Sequence, residues 1–312
     1  MASPLRHIFI ALSKSPQMQD VIVGLPISRR MARRFVAGET LPDAIDAIRA
    51  SNAAGLLATL DYLGEHVHNQ AEAAANADEY IRALQAIQQA GVNSNISIKL
   101  TAMGLAVDDD FCYHNVRRIV QAAAGLGNFV RIDMEDSPVT DRTLAIYRRL
   151  RAEFPNLGVV IQAYLYRSEE DVRELMSQGM AHLRLCKGAY DEPPAVAFQD
   201  KADVDQNMTR LIRLMLDSQA AYPGTYPAVA SHDHRIINWT KAYAHHRGIA
   251  PDRFEFQMLY GIRRDLQQQL ADQGYRMRVY IPYGTRWYPY YMRRLAERPA
   301  NVLFFARALV GN

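Results

Sequence analysis

Short apolar runs alternate with amphipathic stretches along most of the chain. Eight runs are bounded by turn residues, at positions 55–60, 96–100, 129–133, 159–162, 183–187, 228–231, 254–258 and 277–281. In the stretches between them, apolar residues recur at spacings of three and four, as at Ile81, Leu84 and Ile87, which is the spacing of one helix face. The pattern therefore predicts eight strands that alternate with helices.

Strands that alternate with helices at this rhythm are typical of parallel βα units, and eight such units close most naturally into a TIM-type (βα)8 barrel, an α/β fold. A doubly wound open sheet is the alternative, which we disfavour because no G-x-G-x-x-G turn follows any predicted strand. The first fifty or so residues have a helical pattern, with Ile45 and Ile48 on one face. We therefore expect an N-terminal helical arm over residues 1–52 and the barrel over residues 53–312.

The composition is that of a soluble globular protein, with 312 residues of which 49% are hydrophobic and 22% charged. The 36 basic and 33 acidic residues give a formal net charge of +3, which is too small and too interspersed to favour binding to nucleic acid. Cys112 and Cys186 lie far apart without CxxC spacing, so neither a disulfide framework nor a zinc knuckle is indicated. Because no apolar run approaches a membrane span, we expect a cytoplasmic location.

Two adjacent arginines, Arg293 and Arg294, lie on a predicted aromatic helix that follows the last strand after a glycine turn. An arginine pair offers planar forks of donors that match a carboxylate, and aromatic neighbours can exclude the water that would weaken those bonds. The arrangement is typical of a clamp for a small acid. The alternative is an ordinary surface helix with solvated arginines.

Polar side chains also follow the predicted strands where the strands end, which is where a parallel barrel carries its catalytic groups. Singly, each could be a core or rim residue, but together with the two arginines they form a positively charged set that should attract a carboxylate or a phosphate-bearing cofactor. Small residues after Lys187 have the features of a phosphate turn, since they let backbone N–H groups approach an anion. The set comprises Asp61, Lys99, Asp133, Gln162, Arg184, Lys187, Ser231, His232, Gln257 and Tyr280.

Histidines suggest a competing interpretation. His66 and His68 follow the first predicted strand, and further histidines follow the sixth, which is how metal-dependent hydrolase barrels begin their metal site. Such a site also needs ligands after the fifth and eighth strands. The residues there are Arg184, Lys187, Tyr280 and Pro282, and positive charge at these positions would repel a metal ion, so we do not expect a metal.

Eight segments of the chain together resemble one known family. They are YLGE at 62–65, IKLT at 98–101, RIDME at 131–135, VIQAY at 160–164, RLCKGAY at 184–190, SHD at 231–233, FEFQMLYG at 254–261 and the closing aromatic helix with its arginine pair. In this order they resemble the proline dehydrogenase family, in its short monofunctional bacterial form, from about Asp61 to Asn301. The chain departs from the family pattern at Ser231, where relatives often have threonine, but either hydroxyl can donate to a cofactor.

The resemblance implies a (βα)8 barrel that binds FAD non-covalently at the carboxyl ends of its strands, with the final helix over the barrel mouth. It also implies that Arg293, Arg294 and Lys99 bind the carboxylate of proline, and that Tyr280 packs against the pyrrolidine ring. Glu65 would be the gate residue, which pairs with Arg293 to close the site over the substrate.

For catalysis, the resemblance implies a pair formed by Asp133 and Arg184, with Arg184 donating toward N5 of the flavin and Asp133 fixing that geometry. Arg184 would therefore contact both the reaction centre and the cofactor. The FAD contacts that the resemblance implies are Met134, Gln162, Arg184, Lys187, Gly188, Ala189, Ser231 and His232.

The expected reaction is oxidation of L-proline to 1-pyrroline-5-carboxylate, the precursor of glutamate semialdehyde, as the first step of proline catabolism to glutamate. The resemblance implies a membrane quinone as electron acceptor, peripheral attachment to the inner face of the cytoplasmic membrane, and pyrroline-5-carboxylate dehydrogenase as the downstream partner. Two alternatives remain at this point: a metal-dependent hydrolase barrel, and a barrel that binds an acid without redox activity.

Overall fold

The computed structural model describes residues 31–64 and 67–296, so the first thirty residues of the predicted arm lie outside the described part, as do Glu65 and His66. The strands are β1 Leu57–Tyr62, β2 Ser94–Ile98, β3 Val130–Ile132, β4 Leu157–Gln162, β5 His182–Cys186, β6 Tyr226–Ala230, β7 Glu255–Leu259 and β8 Met277–Tyr283. The helices are α1 Leu41–Ala53, α2 Gln70–Ala90, α3 Asp109–Gly125, α4 Thr140–Glu153, α5 Ser168–Ser177, α6 Lys201–Ser218, α7 His234–His246, α8 Arg264–Asp272 and α9 Trp287–Ala296. Short 3-10 helices cover Thr101–Met103, Ser137–Val139 and Pro251–Arg253.

The eight strands form a closed parallel barrel in which each strand pairs with the next along the chain. Strand β8 closes the sheet on β1, in a register that runs from Leu57 opposite Arg278 to Tyr62 opposite Tyr283. The predicted (βα)8 barrel is therefore confirmed, and the open sheet is excluded. The predicted runs lie within about two residues of the observed strands, as for β1, where the prediction was 55–60.

The main hydrophobic core lies between the barrel and its outer helices. Helix α1 contributes Ala44, Ile45 and Ile48 to this core and packs against both β1 and β8. Its start is fixed by a capping box in which Thr40 and Asp43 satisfy each other's backbone N–H groups. Helix α1 thus covers the seam at which the barrel closes, although it precedes the first strand. Within the described ranges, no helix combines the length and the apolar character needed to cross a bilayer.

Helix α9 belongs to a second apolar cluster, separate from the main core. Its buried aromatic and aliphatic side chains include Tyr288, Tyr291, Met292 and Leu295. They pack against residues from before α1 and from the loops after β1 and β7, namely Ala32, Phe35, Val36, Leu63 and Ile262. The last helix therefore lies at the carboxyl ends of the strands, and α1 occupies the position beside β8 on the outside of the sheet. The predicted final helix over the barrel mouth is confirmed.

The interior of the barrel is unusually polar, since branched aliphatic residues dominate most TIM-type barrels. Arg131 is 1% exposed, and its guanidinium donates to the carbonyl oxygens of Val159, at 3.1 Å, and His182, at 2.5 Å. The same guanidinium lies 2.8 Å from Nδ1 of His182. Gly158 on β4 makes room for this group, because a Cβ there would overlap the Arg131 guanidinium and lie 2.5 Å from the His182 carbonyl oxygen. The Arg131 side chain fits against β4 and β5 here only because position 158 carries no side chain.

We expect Gly158→Ala to lower the free energy of unfolding by about 1–3 kcal/mol, since the added methyl must displace backbone of β5 as well as the guanidinium of Arg131. Gly125→Ala is the matched control, because nothing lies within 4 Å of a Cβ at that position at the end of α3. Chemical denaturation of both variants measures the difference. Equal stability of the two variants would show that the barrel interior can accommodate a larger residue at position 158.

Candidate active site

A cavity of about 620 Å³ opens at the carboxyl ends of the strands, between the barrel and α9. Every residue to which the family resemblance assigns a site role lines this cavity, except Glu65, which lies outside the described residues. They are Lys99, Asp133, Met134, Gln162, Arg184, Lys187, Gly188, Ala189, Ser231, His232, Tyr280, Arg293 and Arg294. These polar residues at the strand ends and the arginine pair of α9 thus line the same cavity. The roles of these residues remain predictions.

The charged floor of the cavity consists of Lys99, Asp133, Arg184 and Tyr280, together with Asp61, which is fully buried behind Lys99. Lys99 Nζ lies 3.1 Å from both carboxylate oxygens of Asp61, 3.3 Å from Asp133 Oδ2 and 3.0 Å from the Tyr280 hydroxyl oxygen. The Tyr280 hydroxyl in turn donates to Asp133 Oδ2 at 2.7 Å. The ammonium group therefore bridges two buried carboxylates from different strands and holds the phenol against one of them.

Arg184 is held in the floor by all three of its nitrogen atoms. Its Nη1 donates to Asp133 Oδ1 at 2.6 Å, its Nη2 donates to Ser97 Oγ at 2.9 Å, and its Nε donates to Gln257 Oε1. The guanidinium carbon also lies 5.3 Å from the centre of the Tyr280 ring, within the range of a cation–π contact. With partners on β2, β7 and β8 and directly after β3, the planar group has a single orientation.

The pKa values of the two buried carboxyl groups, Asp61 and Asp133, are shifted in opposite directions. Burial raises the pKa of Asp61 above its ordinary value, and the negative charge of Asp133 raises it further, against the effect of Lys99. Burial acts the same way on Asp133, but Lys99 and Arg184, with the hydrogen bond from Tyr280, hold the pKa of Asp133 below its ordinary value. Burial and the Asp133 charge raise the pKa of Tyr280 well above its ordinary range. Asp133 is therefore an anion that accepts a hydrogen bond from the protonated hydroxyl group of Tyr280.

Helix α9 brings the arginine pair to the opposite side of the cavity. Arg294 is 8% exposed, and its guanidinium carbon lies 5.1 Å from the centre of the Tyr290 ring. Arg293 lines the same cavity and is half-buried. The alternative of a solvated surface helix is therefore excluded for Arg294. The two cations face a floor whose two carboxylates are already engaged by Lys99 and Arg184.

The predicted phosphate turn lies at one end of the cavity and has a tightly packed support. Gly188 has φ +112°, and a Cβ there would come within 2.5 Å of the Tyr164 ring, so the turn requires glycine. Glu192 accepts a hydrogen bond from the backbone N–H of Ser137 at 2.7 Å and another from the Ser137 hydroxyl. It also accepts a hydrogen bond from the Tyr164 hydroxyl at 3.4 Å. The loops after β3 and β5 are thereby tied together beside the cavity.

Lys187 lies at the same end of the cavity but is ion-paired within the protein. Its Nζ lies 2.6 Å from Asp205 Oδ1 and 3.0 Å from Asp233 Oδ2. Burial opposes ionisation of Asp233, but hydrogen bonds from Arg235 and Lys187 hold its pKa well below its ordinary value. Two aspartates thus position Lys187, the cation that the sequence suggests for binding a phosphate. One of them, Asp205 on α6, belongs to no motif that would predict this contact.

Two further lining residues present groups suited to a bound heterocycle. His232 Nε2 accepts a hydrogen bond from the backbone N–H of Leu259 at 3.0 Å, so the neutral imidazole carries its proton on Nδ1. Gln162 donates through Nε2 to the Met134 carbonyl oxygen at 3.4 Å. Its Oε1 is buried without a protein hydrogen-bond donor in the described part of the chain. Because buried polar atoms are nearly always satisfied, this oxygen indicates a ligand that donates to it.

Sequence reasoning gave no role to several residues that build the site. Asp61 and Gln257 were recognised only as strand-end residues, and Ser97 and Tyr80 were not recognised at all. Tyr80 on α2 donates to Asp61 Oδ1 at 3.1 Å, across the barrel wall. A count of polar positions on the inner face of β2 could have found Ser97. Among residues 31–64 and 67–296, no group of three or more histidine, cysteine, aspartate or glutamate side chains could hold a metal ion.

We expect Lys99→Met to lower the free energy of unfolding of the ligand-free protein by about 3–5 kcal/mol, because it leaves the buried carboxylates of Asp61 and Asp133 without their shared cation. Arg173→Met is the control, since its ion pair with Glu169 has an arginine side chain that is 59% exposed and should contribute at most about 1 kcal/mol. Urea denaturation gives both values. A loss for Lys99→Met no larger than that of the control would mean that the floor does not depend on this charge.

Known proteins match the chain almost from end to end. The model of the proline dehydrogenase family matches residues 44–307. The chain is 46% identical over 306 residues to proline dehydrogenase 1 of Bacillus subtilis (strain 168), covering 98% of this chain and 99% of that protein. It is 45% identical over 310 residues to the proline dehydrogenase of Deinococcus radiodurans, covering 98% of this chain and 97% of that protein.

A solved structure gives the same result at the level of fold. The chain is similar to proline utilization A (PutA) from Bdellovibrio bacteriovorus inactivated by N-propargylglycine, with a TM-score of 0.81 and 25% identity. The match covers 93% of this chain and 36% of that one, so the chain spans about a third of the longer PutA protein. Because the family model covers most of its length and relatives of the same name match it nearly completely, the chain belongs to the proline dehydrogenase family of enzymes.

Proposed function

We propose that the chain oxidises L-proline to 1-pyrroline-5-carboxylate, the precursor of glutamate semialdehyde, with FAD bound non-covalently in the cavity and a membrane quinone as the final electron acceptor. The observation that carries the proposal is the position of the arginine pair of α9 across one cavity from the charged floor. A small molecule with a carboxylate could contact both at once. Membership of the family supports proline as that molecule.

The cavity has the properties needed for FAD. Its volume falls within the range of about 300–1,000 Å³ that is usual for ligand sites, and it combines apolar walls with a few converging polar groups. The buried Oε1 of Gln162 lacks a protein donor in the described ranges, and the turn at Gly188 presents backbone without a side chain. We assign Met134, Gln162, Arg184, Lys187, Gly188, Ala189, Ser231 and His232 to the cofactor. When bound, FAD would supply a hydride acceptor, chemistry that no side chain of the protein can provide.

The protein's own residues would bind and orient proline. Arg293 and Arg294 would bind its carboxylate in bidentate fashion, with Lys99 adding positive charge from below. Tyr280, held at Asp133 by its hydroxyl group, would present its ring to the pyrrolidine. Since Arg184 is fixed by three acceptors, it would offer a rigid positive charge at the point where electrons arrive, which is electrostatic preorganisation. Catalysis would then consist mainly of positioning.

The arginine pair and Lys99 also favour the reactive form of the substrate. Hydride can leave the carbon next to the ring nitrogen only when the nitrogen has a lone pair, that is, when the amine is neutral. Two arginines and a nearby lysine attract the carboxylate but disfavour an ammonium group in the same cavity. The site would therefore lower the pKa of the bound amine while it holds the carboxylate.

Anaerobic addition of L-proline to the FAD-loaded protein tests the proposal. We expect a yellow preparation that is bleached by L-proline, and mass spectrometry should find 1-pyrroline-5-carboxylate in the mixture. L-prolinamide, which lacks the carboxylate, should bleach the flavin far more slowly at the same concentration. Restoration of the colour by a soluble quinone would support the proposed acceptor. A protein that binds FAD but is not bleached would favour the acid-binding barrel without redox activity, and a colourless zinc protein would favour the hydrolase.

We expect Arg294→Met to retain FAD but to raise the KM for proline roughly 10–100-fold, since a hydrogen bond to a charged group contributes about 1.5–3 kcal/mol. Arg286→Met is the matched control, because Arg286 lies just before α9, is 52% exposed and pairs with Glu72 outside the cavity. Steady-state kinetics with a dye as acceptor measure both variants. An unchanged KM in Arg294→Met would remove this arginine from the carboxylate site.

A further inference from the structure

A line of buried polar side chains leads from Arg184 away from the cavity into the barrel. Arg184 Nε donates to Gln257 Oε1, and Gln257 Nε2 donates to Glu255 Oε1, two residues earlier on β7. Arg278 on β8 completes the line with two hydrogen bonds to Glu255, from Nε at 2.8 Å and from Nη2 at 3.1 Å. Glu255 is 4% exposed and does not line the cavity. The line therefore connects a cavity residue to a carboxylate that no substrate or cofactor could contact.

The direction of the hydrogen bonds along this line is set at its two ends, by Arg184 and by Glu255. A guanidinium can only donate, so Arg184 needs an acceptor from Gln257. The amide of Gln257 has one acceptor end and one donor end, so its oxygen can face Arg184 without leaving a buried donor unsatisfied only if another group accepts from its NH₂ end. An ionised carboxylate can only accept, so Glu255 draws the NH₂ end of Gln257 toward itself and leaves the oxygen for Arg184. A neutral amide at position 255 would not impose that choice.

Glu255 has the surroundings that keep it ionised. Burial opposes ionisation, but the charge and hydrogen bonds of Arg278, the hydrogen bond from Gln257 and the charge of Arg131 lower the pKa of Glu255 to about 2. The Tyr226 hydroxyl also faces it, at 3.5 Å. Arg278 is itself anchored by a 2.7 Å hydrogen bond from Nη1 to the Ala58 carbonyl oxygen across the closing seam of the barrel. The carboxylate thus has a fixed position and a fixed charge.

We propose that Glu255 is a positioning residue that holds Arg184 in its working orientation through the amide of Gln257, an inference that rests on the proposed function of Arg184 at the flavin. In this arrangement the base of the barrel determines the geometry of the cavity floor. Asp133 and Ser97 hold the two terminal nitrogens of Arg184, and the third contact, at Nε, fixes the rotation of the group about its own long axis. Loss of the third contact would let the guanidinium turn toward other acceptors.

Two variants separate this role from a general effect on folding. In Glu255→Gln the shape is kept and the charge is lost, so the NH₂ group of Gln257 no longer has a fixed, charged acceptor. In the double variant Glu255→Gln, Gln257→Glu the negative charge moves from position 255 to position 257. The carboxylate introduced at position 257 would then accept from Arg184 with one oxygen and from the amide introduced at position 255 with the other. Glu153→Gln is the matched control, because Glu153 bonds Tyr113 and Arg117 among the outer helices, remote from the cavity.

We expect Glu255→Gln to raise the dissociation constant of the apoprotein for FAD, measured by flavin fluorescence, or to slow anaerobic bleaching by L-proline, by about tenfold. The double variant should recover to within about threefold of the wild-type value, and Glu153→Gln should not change. A crystal structure of Glu255→Gln should show Arg184 displaced from its wild-type position. Recovery in the double variant would not follow from lost stability alone, so it supports the positioning role.

Other outcomes would overturn the inference. If Glu255→Gln binds FAD and is bleached like the wild type, or if the double variant is as impaired as the single one while folded, Glu255 does not position Arg184. If the single variant does not fold, Gln257→Leu and Gln257→Glu are compared instead, and equal flavin binding by the two would contradict the role of the acceptor. If the wild-type protein itself is not bleached by L-proline, the proposed function fails first and the inference fails with it.

Discussion

The site depends on the hydrogen bonds and ion pairs that the carboxylate of Asp133 forms with its neighbours. Three donors from three other strands converge on it: Lys99 after β2, Arg184 on β5 and Tyr280 on β8. No local segment of the chain could bring these groups together. Only a closed parallel barrel places the ends of its second, third, fifth and eighth strands around one point, so formation of the site and closure of the barrel are the same event.

A polar barrel interior has an energetic consequence. Buried ion pairs gain little net stability, because the loss of hydration of both charges largely offsets their attraction. Arg131, Arg184, Glu255 and Arg278 occupy positions that aliphatic residues would fill in a barrel selected for stability alone. These residues instead provide defined side-chain orientations, because each hydrogen bond permits one orientation of its partner, whereas aliphatic packing permits several. The stability of the protein is instead supplied outside the sheet, where the strands and helices bury a continuous apolar core.

The sequence was sufficient to predict the barrel and the membership of the site, but not the pairing within it. Lys99, Asp133 and Arg184 could be assigned to one cavity because strand ends in a parallel barrel must meet, whatever the detailed geometry. Which of them contact each other depends on strand register and side-chain rotamers, which periodicity does not encode. Lys187 shows the limit most clearly. Its position after a strand suggested a phosphate contact, but the aspartate that binds it most closely lies eighteen residues away, on the partly exposed side of the amphipathic helix α6.

The position of the arginine pair follows from how α9 is held. Its arginine pair is positioned by the packing of Tyr288, Tyr291 and Met292 in the second apolar cluster, against residues from before α1 and from the loops after β1 and β7. That packing does not involve the cavity, so the positive charge of α9 is placed by the hydrophobic effect before any acid binds. A binding group fixed in this way loses little conformational freedom when its ligand arrives. A carboxylate bound by the arginine pair would then be held at a defined distance from Asp133 and Arg184.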